Sequence, residues 1–542
     1  MILLPAVLAS CIEDKSSYDY IETNQVTFLD ESFSVTAGET VNLTAPVSFS
    51  KPTEDVDAEF DIVWYLDLKE IARGYRITYD FPRSGGFTLH LKITNRTTGE
   101  VFLSDAYPVT AKSSFGWGWM VLTDRGDGES GLSFISPVSL FVSHGLENDI
   151  EGGLGSDPRN LFYYNIFGTV ANNAILGVPK VLVNQGSGSV TLDGSTLQKD
   201  MWLRDEFGGA EPVDLHIESF GWNRPFYAIC TAEGDLYIRD IDSYENKSNA
   251  YYGRYSTLPL EFEGGARIGC FQSFPNPLYT SANADGAMAY DELNGRFVAL
   301  TEGNASNRYN AGVEYLQYYD SEYVRPAGVR AVNAMGAGSR CLGLSAFQYT
   351  GASTEGTMLR WSEYVALMEL DGAGDYCLYT FTVNPLSFGN HVVTESTQTP
   401  FAWGSLLDES SVVAMSSNFD EHPFFYFTDG AEKLYVCSVV KDSASGSVSL
   451  DCKLAYTAAA PITHICASPI RCYFQGWGAN STEPNFRLAL SQTDGDVSIV
   501  DVSYPSLVRL FAGTDVDLEI AVLHGFGDVK GMVWCTNIES EY

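Results

Sequence analysis

At 542 residues the chain exceeds one ordinary domain and is long enough to bury a sizeable core. Its 69 acidic against 32 basic residues leave a net charge of −37, a surface that repels nucleic-acid phosphates and excludes nucleic-acid binding. Plentiful glycines and aromatics, without long charged helical patterns, point to short strands and tight turns.

In chain order, the first element is the short apolar run Ile2 to Leu8, followed at once by Leu8-Ala9-Ser10-Cys11. The run is shorter than the ~20 residues that span a bilayer. Small residues before a cysteine suit a signal peptidase with a narrow cleft, after which the thiol takes a lipid. Residues 1–10 therefore read as a lipoprotein signal peptide, and Cys11 as the site of a covalent diacylglycerol and acyl anchor. No Lys or Arg precedes the run, so either the true translation start is expected a few codons upstream or the basic n-region has been trimmed. Residues 11–25, beginning Cys11-Ile12-Glu13-Asp14-Lys15, form a polar tether.

Residues 26–112 alternate as strands do. Glu39-Thr40-Val41-Asn42-Leu43 alternates polar and apolar, and Ile62-Val63-Trp64-Tyr65-Leu66 carries a central tryptophan. In Gly86 to Asn95, the residues Phe87, Leu89, Leu91 and Ile93 share one face, with His90 and Lys92 on the other. Such a set of short strands around a buried tryptophan predicts an immunoglobulin-like β-sandwich. The tryptophan strand and the closing glycine-aromatic-Thr pattern resemble a PKD-type domain. The glycine-rich turn usual there after the tryptophan is replaced by Asp67-Leu68-Lys69-Glu70.

From residue 113 to 542 one motif recurs: an apolar strand, a turn rich in Asp, Gly or Asn, and a second strand. Its strands begin at Trp119, Val181, Tyr227, Met288, Val365, Phe424 and Leu488, and its turns fall near 127, 187, 234, 294, 372, 430 and 495. Asp-Gly and Asn-Gly supply the positive φ that tight hairpins demand. Most intervals are roughly 50 to 65 residues, slightly above the usual blade period of about 40 to 50. Seven units predict a β-propeller of about seven blades, and the strand from Gly531 to Cys535 is expected to close the ring by joining the first blade. The whole is all-β.

Chemistry is less legible. No nucleophile elbow, zinc-protease helix or phosphate-binding loop occurs, and no Cys/His cluster has metal spacing, so neither a metal nor a diffusible cofactor is expected. Asp124, Asp127 and Glu129 lack a full calcium loop. Cys437 with Cys452, or Cys466 with Cys472, are candidate cross-strand disulfides in an oxidising compartment; buried free thiols are the plainer expectation. Trp403, Trp477, Tyr251 and Tyr252 interrupt polar stretches and are the candidate ligand-binding aromatics.

The lipobox, acidic tether, sandwich tail and junction Gly116-Trp117-Gly118-Trp119-Met120-Val121-Leu122 together resemble the PKD-like family lipoproteins of Bacteroidetes. That resemblance implies display on the extracellular face of the outer membrane, with Glu13 and Asp14 as the export signal. It also implies work beside a Sus-type importer, a TonB-dependent transporter with its lipoprotein lid. The expected role is an accessory subunit binding a peptide or glycan, rather than an enzyme. A propeller-based surface hydrolase acting on glycan or peptide is the alternative, and a structural or adhesive protein a third.

Overall fold

The alternation of the eleven-residue strand Gly85–Asn95 becomes burial: Phe87, Leu89, Leu91 and Ile93 are buried, while Lys92 is exposed. It belongs to a computed structural model that describes residues 23–82, 85–169, 175–207, 215–223, 226–240, 254–273, 287–301, 312–318, 324–350, 360–372, 374–386, 390–416, 419, 422–442, 446–468 and 486–536. The chain divides into two units. The first holds residues up to Val35, Glu39–Phe81 and Gly86–Ala111; the second holds Thr36–Gly38, Pro82–Gly85 and everything from Lys112.

In the first unit, Gly85–Asn95 pairs antiparallel with Phe60–Leu66, placing Leu91 opposite Trp64. Strands Phe33–Thr36, Tyr107–Lys112, Lys69–Arg73 and Val101–Leu103 complete that sheet. Thr40–Thr44 with Arg76–Asp80, and Val26–Phe28 with Val47–Phe49, form two separate pairs. Trp64 is fully buried and its indole N–H donates to the Gly74 carbonyl at 2.8 Å, as a buried tryptophan requires. After the tryptophan strand the chain reverses through Asp67 and Leu68, both at positive φ (47° and 69°). A non-glycine pair thus performs the turn for which glycine is the usual choice, and Leu68 projects into solvent.

The second unit is a β-propeller. Among the described residues seven sheets follow one another, and in each the second and third strands are a hairpin read from the sequence. Counted from the inner strand outward, blade 1 is Asp528–Thr536, Trp117–Asp124, Ser130–Ile135 and Val142–Ser143. Blade 2 is Pro158–Thr169, Ile175–Gln185, Val190–Asp193 and Lys199–Trp202; blade 3 is Ile217–Asn223, Phe226–Thr231 and Leu236–Asp240, with Tyr255 bridging Arg239 at its outer edge. Blade 4 runs Ile268–Ser273, Ala287–Asp291, Arg296–Thr301, Gly312–Tyr315. Blade 5 runs Arg340–Thr350, Arg360–Leu370, Asp375–Leu386, Asn390–Pro400, with Gln317–Tyr318 added in parallel outside. Blade 6 is Val413–Met415, Phe424–Thr428, Lys433–Lys441 and Val448–Thr457, and blade 7 is Ile462–Ala467, Arg487–Gln492, Val497–Asp501 and Glu519–Leu523.

Ring closure is visible in the inner strands, each of which neighbours the next, from blade 1 through blade 7 and back to blade 1. The inner strand of blade 1 is the C-terminal one, pairing antiparallel with Trp117–Asp124 so that Trp119 faces Trp534 and Val121 faces Met532. Two ends far apart in sequence thus share one sheet, and the inner side of Trp117–Asp124 is not left as an unpaired edge.

The middle strands are largely buried on both sides, which is why most of these runs are apolar rather than alternating. In blade 1, Met120 and Leu122 pack toward blade 2 with Val181 and Val183. Their neighbours Trp119 and Val121 pack toward blade 7 with Ala489 and Ile499. Every hairpin turn contains a residue at positive φ, and several use their acidic residue as a backbone acceptor. Asp124 takes the amides of Gly126 and Gly128 at 2.8 and 3.1 Å, and Asp429 those of Ala431 and Lys433, both at 3.1 Å. Part of the acidic excess is therefore turn chemistry.

Candidate functional site

Successive antiparallel strands put the hairpin turns at one end of the ring. The connections from inner to second strand, and from third to outer strand, lie at the other. Trp403 belongs to the turn end. It precedes the short helical turn Gly404–Leu406, lies 5.8 Å ring to ring from Phe401, and packs half-buried among residues of blades 5 and 6. Tyr251, Tyr252, Trp477 and Cys11 lie outside the described residues. The strand ends flanking Trp477, Ala467 and Arg487, stand at the end opposite Trp403.

At that opposite end, blade 1 presents an aromatic group built from both termini of the ring. Trp119 is fully buried and its indole N–H donates to the Cys466 carbonyl of blade 7 at 3.1 Å. Trp534 lies edge-on to Trp119 at 4.8 Å and to Trp117 at 5.4 Å. Trp117, at the start of its strand, is 40% exposed. Gly118 makes this possible: a Cβ there would lie 2.3 Å from the Ile135 carbonyl oxygen. The connection Ser136–Phe141, closed by the Ser136 amide on the Phe141 carbonyl at 3.0 Å, emerges at the same end. It exposes Val138 and Phe141. Sequence reasoning marked the Trp117–Leu122 stretch for its family likeness and missed this platform. Its signal was a tryptophan set between two glycines at the head of the strand.

The ionisable groups have mostly structural partners. His422 is buried against Phe424 and Phe486, its Nε2 2.7 Å from the Tyr426 hydroxyl, and burial pushes its pKa down to about 3. It is neutral near pH 7 and serves the core. His464 lies 3.0 Å from the Ser491 hydroxyl, but Ser491 is fully buried and so cannot meet a substrate. Burial lowers the His464 pKa as well. Asp124, Asp127 and Glu129 do not converge: Asp124 and Asp127 accept turn amides, and Asp127 also pairs with Arg125 at 3.2 Å. Among the described residues no three His, Cys, Asp or Glu side chains are grouped to hold a metal ion.

Between blades 2 and 3 lies a buried polar group. Glu206 ion-pairs with Arg239, and the Thr191 hydroxyl donates to Glu206 at 2.7 Å. Burial raises the Glu206 carboxyl above its usual range, with Arg239 opposing that shift. Arg239 also sits 5.8 Å from the Tyr255 ring centroid. The group seals a seam and reaches no solvent-facing surface.

Strand order and the closed ring of inner strands define a seven-bladed β-propeller preceded by a β-rich unit. No family model matches the chain, and no curated protein does. Among solved structures it is similar to a quinonprotein alcohol dehydrogenase-like protein from Bacteroides thetaiotaomicron, at 12% identity over 95% of this chain and 97% of that one, TM-score 0.35. It is also similar to the WD40 domain of SCAP from fission yeast, at 10% identity over 82% and 93%, TM-score 0.33. The β-propeller domain of Swd1 from Myceliophteria thermophila gives 10% over 66% and 87%, TM-score 0.35. At such scores the strand order, and not these likenesses, carries the assignment.

Proposed function

We propose that the chain is a lipoprotein of the outer membrane's extracellular face, acylated at Cys11, that serves as an accessory ligand-binding subunit of a Sus-type, TonB-dependent importer of peptides or glycans. In this reading the first unit is an immunoglobulin-like sandwich of PKD kind, acting as spacer or docking module. The propeller is the ligand-facing body. The carrying observation is Trp117, an exposed indole braced edge-on by Trp534 at the end of the ring where Phe141 and Val138 are also exposed. A rigid aromatic plane held in place before binding loses little entropy when it stacks on a sugar ring or anchors a peptide side chain. The lipobox supports the anchor, and the acidic residues behind it support the outer face.

Mild detergent extraction of native membranes followed by affinity capture tests the role. Transporter and lipoprotein lid are expected in the eluate, and recovery as a lone monomer at native levels overturns it. Screening the purified protein against peptides and polysaccharides then sets the ligand class. Trp117→Ala is expected to weaken the retained ligand about tenfold, as loss of an aromatic hot spot does. Cys11→Ala is expected to release the protein from the membrane.

A further inference from the structure

Cys437 in the third strand of blade 6 and Cys452 in its outer strand stand directly opposite each other. The amide of Asp442 donates to the Ser447 carbonyl at 2.9 Å, which makes 442 and 447 a hydrogen-bonded pair. Pair types alternate along an antiparallel ladder, so five residues further along Cys437 and Cys452 occupy a non-hydrogen-bonded site. Such sites bring the two Cα atoms to about 4.5 Å, the close end of the range that a disulfide bridges. Both side chains lie on the same face of the sheet, in the core shared with blade 5, beside Phe425 and Phe427. In this structure both residues are buried free thiols.

We propose that Cys437 and Cys452 form a cross-strand disulfide that staples the third and outer strands of blade 6. Outside a reducing cytosol the oxidant is a disulfide-bearing molecule. The first cysteine, as thiolate, attacks one sulfur of that disulfide and releases one thiolate. The second cysteine, as thiolate, then attacks the mixed disulfide, forms the Sγ–Sγ bond and releases the other. Two protein thiols are oxidised, one external disulfide is reduced to two thiols, and the two protein protons end on the leaving thiolates. Burial pushes the Cys437 thiol up, so exchange is slow once the blade has packed and the bond forms as the chain folds. The supply of oxidant in the cell rests on the reading of the chain as exported. The chemistry of the pair does not, and purified protein tests it alone.

The full chain, reduced and denatured, is refolded in a mixture of oxidised and reduced glutathione. Remaining thiols are blocked with N-ethylmaleimide, and the protein is digested with trypsin without reductant. The expected product joins Leu434–Lys441 to Asp442–Lys453, is lighter than the two free peptides by two hydrogen atoms, and disappears on reduction. Recovery of both peptides as maleimide or glutathione adducts, or joined to other cysteines, overturns the proposal. As a second measure, the oxidised protein is expected to unfold at higher urea than the reduced one, and Cys437→Ala with Cys452→Ala to abolish that difference. Equal midpoints for the oxidised and reduced protein would sink the stapling role.

Discussion

Two seams of one ring solve the same packing problem with opposite chemistry. The seam between blades 7 and 1 is dry and aromatic: Trp119, Trp534, Val121 and Phe526 fill it, and its polar links are the Trp119 indole on the Cys466 carbonyl and, at one end, the Arg487 guanidinium on the Pro137 carbonyl. The seam between blades 2 and 3 is also rich in rings, among them Tyr164, Tyr227 and Tyr255, but it encloses the Glu206–Arg239 ion pair. The dry seam joins residues 347 apart in sequence, whereas Glu206 and Arg239 are 33 apart. Closing the longer loop costs more chain entropy, though only logarithmically with length. Large apolar area meets that cost without the desolvation that buried charges carry. The difference teaches that the closure bears the load of ring integrity, while the polar seam adds geometry to neighbours already linked.

Breaking the dry seam is expected to have the largest effect. Trp119→Ala removes a fully buried indole, about 3–5 kcal/mol, and leaves the Cys466 carbonyl without that donor, roughly 1–2 kcal/mol more. The measurement is urea unfolding, and the loss is expected to be independent of pH. A cost below about 2 kcal/mol would mean that the ring does not depend on its closure.

Arg239→Met is expected to cost about 3–5 kcal/mol at neutral pH, because it strands Glu206 as a buried, unpaired carboxylate. Without Arg239 the carboxyl, already raised by burial, rises further. A folded pKa above the unfolded value favours folding only below the unfolded value and is lost as pH rises. The deficit of Arg239→Met should therefore shrink as the solution is acidified toward pH 4, where Glu206 takes up a proton. A deficit that stays constant with pH would erase the distinction between the two seams.

The seam between blades 6 and 7 lies between these cases, with a polar group kept neutral. His422 has a folded pKa near 3 against 6.5 for an ordinary histidine. Below about 6.5 the unfolded chain binds more protons, so the stability this residue confers is complete above that value and falls away toward pH 3. The expected slope is about 1.4 kcal/mol per pH unit. His422→Gln, which keeps a partner for the Tyr426 hydroxyl, should flatten the decline of unfolding midpoint between about pH 6 and 4. Persistence of the full slope in the variant would move the acid sensitivity elsewhere.

How much of this was legible follows from which strands carry a pattern. The second and third strands of every blade are largely apolar and joined by a turn at positive φ, so all seven hairpins could be read, as could the closing strand. Outer strands vary: Asn390–Pro400 and Val448–Thr457 are long, but Val142–Ser143 has two residues and Tyr255 joins blade 3 through single bridges. No periodicity marks two residues. The ion pair was invisible because Glu206 and Arg239 look like surface residues until the fold buries them. Cys437 with Cys452 is one of two candidate pairs in the sequence, and the register of the hairpin closed at 442 and 447 sets the two directly opposite each other. Trp403, a candidate ligand-binding aromatic from the sequence, packs half-buried at the turn end, whereas Trp117, flanked by glycines, is exposed.

The smallest effects lie in the turns and separate local strain from contact across the dry seam. Gly128 in the blade 1 turn has φ +82° with open space where a Cβ would go, and Gly495 in the blade 7 turn has φ +87° with the Gly527 amide 2.9 Å away. Gly527 leads into the closing strand. Gly128→Ala therefore suffers only the backbone cost of a positive φ, about 1 kcal/mol. Gly495→Ala meets the same cost and must also push the Gly527 backbone outward, dragging on the inner strand of blade 1. A drop in unfolding midpoint at least twice as large for Gly495→Ala is expected, together with faster hydrogen exchange along Asp528–Thr536 but not along Ser130–Ile135. If both variants lose the same stability and exchange alike, the turn of blade 7 is uncoupled from the closure.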